Sequence, residues 1–328
     1  MILVTGGYGC IGAELIKWLL RNTDQRVLLG SRTISEERTG RIFHDVDHER
    51  LSFVSLDVSD RANVDQVFAE YEITRIAHLG ALQTPDCNAH RDLGMQINLG
   101  GTQHLIEACK ASSGKIERFV FASSIAVYGP RASYPQERVP TLSEPNPVNV
   151  YGVWKLASEQ LCKFFSEDTG TSTISLRPGV LFGPGRDAGL TSTPTTAMKC
   201  VALGLPYQIP FRTKQDYLYA PDVGAAFANA LMEPFRGYGA FTLPGRTVAM
   251  PEFVSTLKTA AAAVGLGDRF QITHGDEEVP FICDLEFEEV LAAFPKTPCT
   301  ELEMALRQSL QVYHAQVEKG WLTKADLV

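Results

Sequence analysis

Ile2-Leu3-Val4-Thr5 runs straight into Gly6-Gly7-Tyr8-Gly9-Cys10-Ile11-Gly12, and that junction constrains the fold more than any other stretch of the chain. The apolar run makes a short buried strand. Glycines at 6, 9 and 12 let the backbone turn tightly and let a ligand approach main-chain N–H groups. Beyond the turn, Ile11, Leu15, Ile16, Trp18 and Leu19 recur at helical spacing. A helix starting there aims its free N–H groups and its positive dipole end at the turn, where an anion is favoured. Strand, glycine turn and amphipathic helix, in that order, read as a holder for the pyrophosphate of a dinucleotide.

The same alternation continues. Strands are expected at 26–30, 51–56, 75–79, 118–122 and 173–177, with helices at 64–71, 95–111 and 150–167. Near-continuous apolar strands between helices predict an α/β fold, a doubly wound parallel sheet covered on both faces. After Pro178 the character changes. Residues 179–221 are rich in Gly, Pro, Thr and Ser and show few clear periods. Helices are expected again at 221–232, 251–264 and 300–313, with a strand near 240–243. The reading is a nucleotide lobe over 1–178, re-entered at about 221–245. A smaller substrate lobe is built from 179–220 and 246–328.

The 328 residues are 45% hydrophobic and 21% charged, enough for a large core, and the net charge is −8. No basic surface argues for nucleic acid or an anionic membrane. The apolar runs are too short to span a bilayer, and Gly6 and Gly7 break the first one too early for a signal peptide. Seven cysteines without a C-x-x-C pair read as reduced cytoplasmic thiols, with no disulfide frame and no metal site.

Tyr151 and Lys155 lie four residues apart and share a helix face. A free tyrosine titrates near 10, so it is a poor base at neutral pH. A neighbouring ammonium and a positive nicotinamide ring would favour the phenolate; reaching neutrality takes about 4 kcal/mol. Such a tyrosine can exchange a proton with a hydroxyl or carbonyl oxygen while hydride moves at the same carbon. The strand at 118–122 ends in Ser123 and Ser124, at the sheet edge where ligands bind. Ser124 is the candidate for orienting the substrate oxygen. At the end of the second strand, Gly30-Ser31-Arg32 carries no acid to accept from a ribose 2′-hydroxyl. Arg32 can pair with a 2′-phosphate, which points to NADP, with NAD as the alternative.

These pieces, in this order, resemble the extended short-chain dehydrogenase/reductase family, which holds epimerases, dehydratases and related dehydrogenases. The resemblance runs over about residues 1–185. It is carried by Thr5-Gly6-x-x-Gly9-x-x-Gly12, Leu56-Asp57-Val58, His78-Leu79-Gly80-Ala81, Asn98-x-x-Gly101-Thr102, Ser123-Ser124-x-x-Val127-Tyr128-Gly129, Tyr151-x-x-x-Lys155 and Arg177-Pro178-Gly179-x-x-x-Gly183-Pro184-Gly185. Tyr217–Val223 is a weaker match. The resemblance implies a Rossmann lobe and Ser124, Tyr151 and Lys155 as the catalytic set. It implies a cofactor site formed by Gly6, Gly9, Cys10, Ile11, Gly12, Ser31, Arg32, Asp57, Val58, Leu79, Gly80, Ala81, Asn98, Tyr151, Lys155 and Pro178. Asp57 would lie near the adenine and Asn98 near the cofactor or a proton relay. His78 is expected to be structural. A homodimer through helices 92–111 and 150–167 is also implied.

Departures from the family narrow the chemistry. Ile125-Ala126 stands where the sugar-nucleotide dehydratases carry an Asp-Glu pair, so water elimination is not expected. Gly179 and Gln215 replace an asparagine and an arginine that contact a substrate diphosphate, and no arginine precedes Asp284 in 276–283. Each lost contact is worth about 1–3 kcal/mol, which weakens the case for a nucleotide sugar. Gln83, Gly179, Arg186, Thr191, Ser192 and Tyr217, with Ser124, are the substrate-facing candidates. Arg186 could meet a carboxylate, and the hydroxyls suit a sugar, sugar acid or polyol; the segment is equally a Thr-rich loop without a ligand. The expected function is an oxidoreductase on a small hydroxylated metabolite. A sugar epimerase is the alternative, and an NADP-sensing regulator without catalysis is a third.

Overall fold

The computed structural model describes residues 1–112, 116–189, 191–279 and 281–327. Strand β1 (Ile2–Thr5) leads through the glycine turn into α1 (Cys10–Asn22), whose Leu15, Ile16 and Leu19 are fully buried. There follow β2 (Val27–Ser31), α2 (Glu36–Ile42), β3 (Leu51–Ser55), α3 (Arg61–Glu70) and β4 (Arg75–His78). Short helices α4 (Thr84–Ala89) and α5 (Arg91–Met95) come next. The latter passes through a π-helical turn at Gln96–Gly100 into α6 (Gly101–Ala111). Then come β5 (Arg118–Ala122), α7 (Val150–Thr169) and β6 (Ser172–Arg177).

Beyond Pro178 the chain builds β7 (Val180–Phe182), α8 (Thr193–Leu203), β8 (Tyr207–Phe211) and β9 (Lys214–Tyr219). It continues through α9 (Ala220–Met232), β10 (Tyr238–Thr242), β11 (Arg246–Ala249) and α10 (Met250–Ala263). The last elements are β12 (Ile272–Glu277), α11 (Glu288–Ala293) and α12 (Leu302–Glu318).

Seven parallel strands form the main sheet in the order β10-β6-β5-β4-β1-β2-β3. The order reverses between β1 and β4, and a crevice opens there at the carboxyl ends of the strands. Buried clusters lie on the two faces. One joins α1 and α9 to the sheet; the other is built from α3, α6 and α7 residues such as Val64, Leu105 and Phe165. A further core gathers α8, α10 and α12 around the small sheets β11-β9-β7 and β12-β8.

The expected fold class holds, and strand and helix positions agree within a few residues up to β6. The excursion after Pro178 is the main difference. It reads as loop-like, yet it contains β7, α8, β8 and β9. Helix α8 buries Pro194, Thr195, Ala197, Met198, Lys199, Cys200, Val201 and Ala202, so no polar face gives it a period. Helix α2 buries nothing, so it shows no apolar stripe; its signal is the Ser35 cap, which accepts from Arg38 N. No helix among the described residues is long and apolar enough to cross a membrane.

Candidate active site

The crevice is about 540 Å³ and is walled by the ends of β1, β2, β3, β4, β5 and β6, by the start of α7 and by the loops beyond Pro178. A Cβ on Gly12 would lie 2.6 Å from Gly6 O and 2.8 Å from Gly7 Cα, so only glycine closes the first turn. Gly9 N donates to Gly6 O at 2.8 Å, and Ala13 is the first residue of α1 whose N–H is taken, by Gly9 O. Gly9 gives no side-chain cap, so the first N–H groups of α1 face the crevice unclaimed by the chain's own cap. This cradle fits a dinucleotide pyrophosphate.

The floor is tied by hydroxyls. Thr5 Oγ1 accepts from Leu79 N at 3.1 Å and Gly80 N at 3.0 Å, and bonds His78 Nδ1 at 2.8 Å. The other ring nitrogen bonds Thr102 Oγ1 at 3.1 Å, and that hydroxyl donates to Asn98 O. Burial, with Lys155 nearby, pulls the His78 pKa down to about 3. The imidazole is therefore neutral, a structural strut as expected.

Asn98 lies in the π-helical turn, fully buried and off the crevice wall. It does not itself line the crevice, where the resemblance implied a place near the cofactor or a proton relay. Its amide brackets Leu82, accepting from Leu82 N at 2.7 Å and donating to Leu82 O at 3.0 Å. It thereby positions the 79–83 loop that does line the crevice. Ser192 also lies off the wall, where its hydroxyl donates to Gly189 O. Tyr217 is a third correction. On β9 it points into the core against Phe182 and Phe253 and cannot meet a substrate. Strand alternation on β9 sends Gln215 and Tyr217 to the core face and Asp216 to the other.

The remaining candidates share the crevice. Gly6, Gly9, Cys10, Ile11, Gly12, Ser31, Arg32, Asp57, Val58, Leu79, Gly80, Ala81, Gln83, Ser124, Tyr151, Lys155, Pro178, Gly179, Arg186 and Thr191 all line it. Asn149 caps α7, its Oδ1 accepting from Gly152 N at 2.9 Å. A Cβ on Gly152 would sit 2.1 Å from Ala126 O, so glycine lets α7 press onto the 125–127 turn. That approach brings Tyr151 to Ser124. Lys155 is buried; its Nζ donates to Ala122 O at 2.6 Å and stands 5.6 Å from the Tyr151 ring centre.

Burial raises the Tyr151 pKa, and a hydrogen bond with Ser124 partly offsets this. The Lys155 ammonium is turned toward the backbone carbonyl of Ala122. Burial also pulls Lys155 down to about 8. The raised pKa favours the protonated phenol.

One turn beyond Lys155 on the same helix face, Glu159 accepts from Ser123 Oγ at 2.5 Å and pairs with Arg177 at 2.6 Å. Arg177 also donates to Tyr128 Oη at 2.8 Å and Thr141 O at 2.9 Å. This buried network ties β5, α7 and β6 together beside Tyr151 and Lys155.

Several lining residues escaped the sequence reading. Arg38, on α2, lies 4.8 Å over the Tyr8 ring and lines the crevice with Arg32. Its only signal was a capped helix start. Phe281 and Ile282 close the wall ahead of Asp284. A Cβ on Gly179 would meet Leu218 Cδ1 at 2.7 Å and Asp216 O at 3.0 Å, so a side chain there would require Leu218 to shift.

The sequence model of the NAD dependent epimerase/dehydratase family matches residues 2–241. An uncharacterized epimerase/dehydratase of Staphylococcus saprophyticus is 29% identical over 181 residues, 55% of this chain and 53% of that protein. Uncharacterized protein y4nG of Sinorhizobium fredii is 34% identical over 184 residues, 56% of this chain and 42% of that protein. The chain thus spans about half the length of the curated relatives it matches. Solved structures share the fold over almost the whole chain. UDP-glucose 4-epimerase of Thermotoga maritima, with UDP-glucose, aligns with a TM-score of 0.82 at 20% identity, covering 96% of this chain and 99% of that one. UDP-glucuronic acid 4-epimerase of Bacillus cereus, with UDP-glucuronic acid and NAD, gives 0.77 at 22%, again covering 96% and 99%. A partial consensus L-threonine 3-dehydrogenase gives 0.78 at 20%, with the same coverage. At such identities the likeness is one of fold. The family match over most of the chain, on a Rossmann sheet carrying the motifs in order, establishes this protein as a member of the NAD dependent epimerase/dehydratase family.

Proposed function

We propose that this enzyme oxidises a secondary alcohol, or reduces the matching ketone, on a small hydroxylated metabolite such as a sugar, sugar acid or polyol. The observation that carries this reading is the meeting of Ser124, Tyr151 and Lys155 in the crevice beside the glycine cradle. When bound, the nicotinamide would accept or supply the hydride. Tyr151 would exchange the proton with the substrate oxygen, Ser124 would hold that oxygen by a hydrogen bond, and Lys155 would stabilise the phenolate left behind. Gly6, Gly9, Cys10, Ile11 and Gly12 would hold the pyrophosphate, and Asp57 and Val58 would border the adenine.

The cofactor reading is NADP. Ser31, Arg32 and Arg38 line the crevice at the end of β2, and both arginines are exposed, without a carboxylate partner in an ion pair among the described residues. Two cations and a hydroxyl suit a 2′-phosphate. A higher kcat/KM with NAD than with NADP would overturn this assignment. Against a nucleotide sugar stand Gly179, which offers no side-chain donor, the core-facing Gln215 and the apolar Phe281 and Ile282. An epimerase is the second reading, favoured by fold likeness to epimerase structures with UDP sugars. A spectrophotometric screen of free sugars and sugar acids with both cofactors decides: net nicotinamide absorbance change, abolished by Tyr151→Phe, is expected. Turnover of nucleotide sugars alone, without net reduction, would favour the epimerase.

The proposed partner is a second copy of this chain. Leu93, Met95, Val153 and Phe164 expose between 43% and 56% of their surface along α5 and α7, beside a groove lined by Leu99, Ala157 and Leu161. Phe164→Glu should then shift the protein from dimer to monomer in sedimentation analysis. The seven free thiols support a cytoplasmic location.

A further inference from the structure

Four cations line the crevice, Arg32, Arg38, Lys155 and Arg186, against the single carboxylate of Asp57. Three have a use in the proposed reaction. Arg186 does not, and its surroundings are built. It lies in the turn after β7, where Nη1 donates to Gln83 Oε1 at 3.1 Å and Nη2 to Thr191 Oγ1 at 3.2 Å. That leaves three of its five N–H groups unclaimed, including Nε, which is shut off from solvent and has no partner. Both anchors are neutral. The adjacent Asp187 is engaged by Lys199 Nζ at 2.6 Å, and Arg186 has no ion-pair partner among the described residues.

The anchoring is tight. A Cβ on Gly189 would sit 2.0 Å from Gln83 Oε1 and 2.9 Å from Arg186 Nη2. Gly189 thus leaves the space in which the Gln83–Arg186 pair packs. Burial lowers the Arg186 pKa, and Arg186 is close enough to Tyr151 for each to influence the ionisation of the other. A recessed guanidinium without a counter-charge is costly, and an anion that reaches it relieves that cost. Its planar fork of donors matches a carboxylate.

We infer that Arg186, held by Gln83 and Thr191, receives a carboxylate of the substrate, so that the natural substrate is a hydroxy acid or its keto acid. This rests on the proposed oxidoreductase reading and names its substrate class. The nearness to Tyr151 puts the carboxylate a few bonds from the reacting carbon. A diphosphate at the far end of a nucleotide sugar would not lie there.

Tartronate, an achiral hydroxy diacid, and its neutral diamide test this without assuming a stereochemistry. Each is titrated calorimetrically into protein supplied with NADPH, so that the alcohol cannot be oxidised. Tartronate should bind at least about tenfold more tightly than the diamide, the order expected for a charge-assisted pair. Arg186→Gln should remove that difference while leaving NADPH fluorescence titrations unchanged. Equal binding of acid and diamide, wild-type tartronate affinity in the variant, tighter binding of inorganic phosphate, or no tartronate binding at millimolar concentration would each overturn the inference. If Arg186→Gln does not fold, Arg186→Lys carries the test, with a partial loss expected because a point charge cannot reproduce the fork. Tyr151→Phe separates the two readings. It should abolish turnover and keep tartronate affinity; Arg186-dependent binding in a protein that turns over no hydroxy acid would keep the anion site and remove the oxidoreductase reading.

Discussion

Tyr151 and Lys155 share a face of α7, and burial moves both away from their ordinary ionisation, the phenol upward and the ammonium down to about 8. The lysine has a consequence for stability. Between about pH 8 and its usual 10.5, the unfolded chain holds a proton that the folded one has lost. Stability therefore rises with pH across that window, and the desolvation cost is fully present below it. The protein should gain on the order of 3 kcal/mol relative to Lys155→Met between pH 8 and 10.5, read from denaturant unfolding of the two proteins. A constant difference would show that Lys155 titrates normally. Gly152 carries no reactive group, but its missing side chain sets where Tyr151 stands. Gly152→Ala should push α7 off Ala126 O and lower kcat by at least about tenfold, each 1.4 kcal/mol of misplaced acid costing that factor. Its NADPH affinity should change little, because the cradle is on α1. Tyr151 and Lys155 were legible in the sequence as an i, i+4 pair set beside a glycine turn, and Ser124 as a hydroxyl at the end of an apolar strand. Gly152 was not, since its role depends on a turn 26 residues earlier in the chain.

At the scale of elements, α7 does two things at once. One face carries Tyr151, Lys155 and Glu159 toward the sheet; the other leaves Val153 and Phe164 exposed. The Glu159–Arg177 pair joins that helix to β6, with side chains only 1% and 7% exposed. Removing one partner strands a buried charge, so Arg177→Met should cost about 3–5 kcal/mol in chemical unfolding. The double replacement Glu159→Leu with Arg177→Met should recover much of that loss, because a buried ion pair is replaceable by apolar packing. A single-variant cost below about 1 kcal/mol would mean water reaches the pair. Legibility at this scale follows exposure. Helices with one buried face, such as α1 and α7, show their period. Helix α8 is buried nearly all round and α2 not at all, so neither offers a stripe to read. The π-helical turn was also invisible, because it appears only in the way Asn98 is drawn onto Leu82.

For the whole molecule, the sheet order places the crevice. Reversal between β1 and β4 brings the loops that follow β1 to β6 to one edge, and the glycine cradle meets Ser124, Tyr151 and Lys155 there. At the end of β2, replacing Arg32 and Arg38 together with Ala should lower the NADP-to-NAD ratio of kcat/KM by at least about tenfold, since each charge-assisted bond to phosphate is worth roughly 1.5–3 kcal/mol. An unchanged ratio would place the selectivity elsewhere. By itself the sequence determined the α/β alternation, the glycine cradle and the pairing of Tyr151 with Lys155. Those features are local: a strand period, a turn that only glycine makes and an i, i+4 face are each set by neighbours in the chain. Tertiary structure decided which polar groups reach the crevice. It turned Tyr217 and Gln215 into a core and Asn98 onto a loop, while closing Gln83 onto Arg186 across 103 residues of chain. Such contacts depend on where the sheet and its loops fold back in space, which spacing along the chain does not encode.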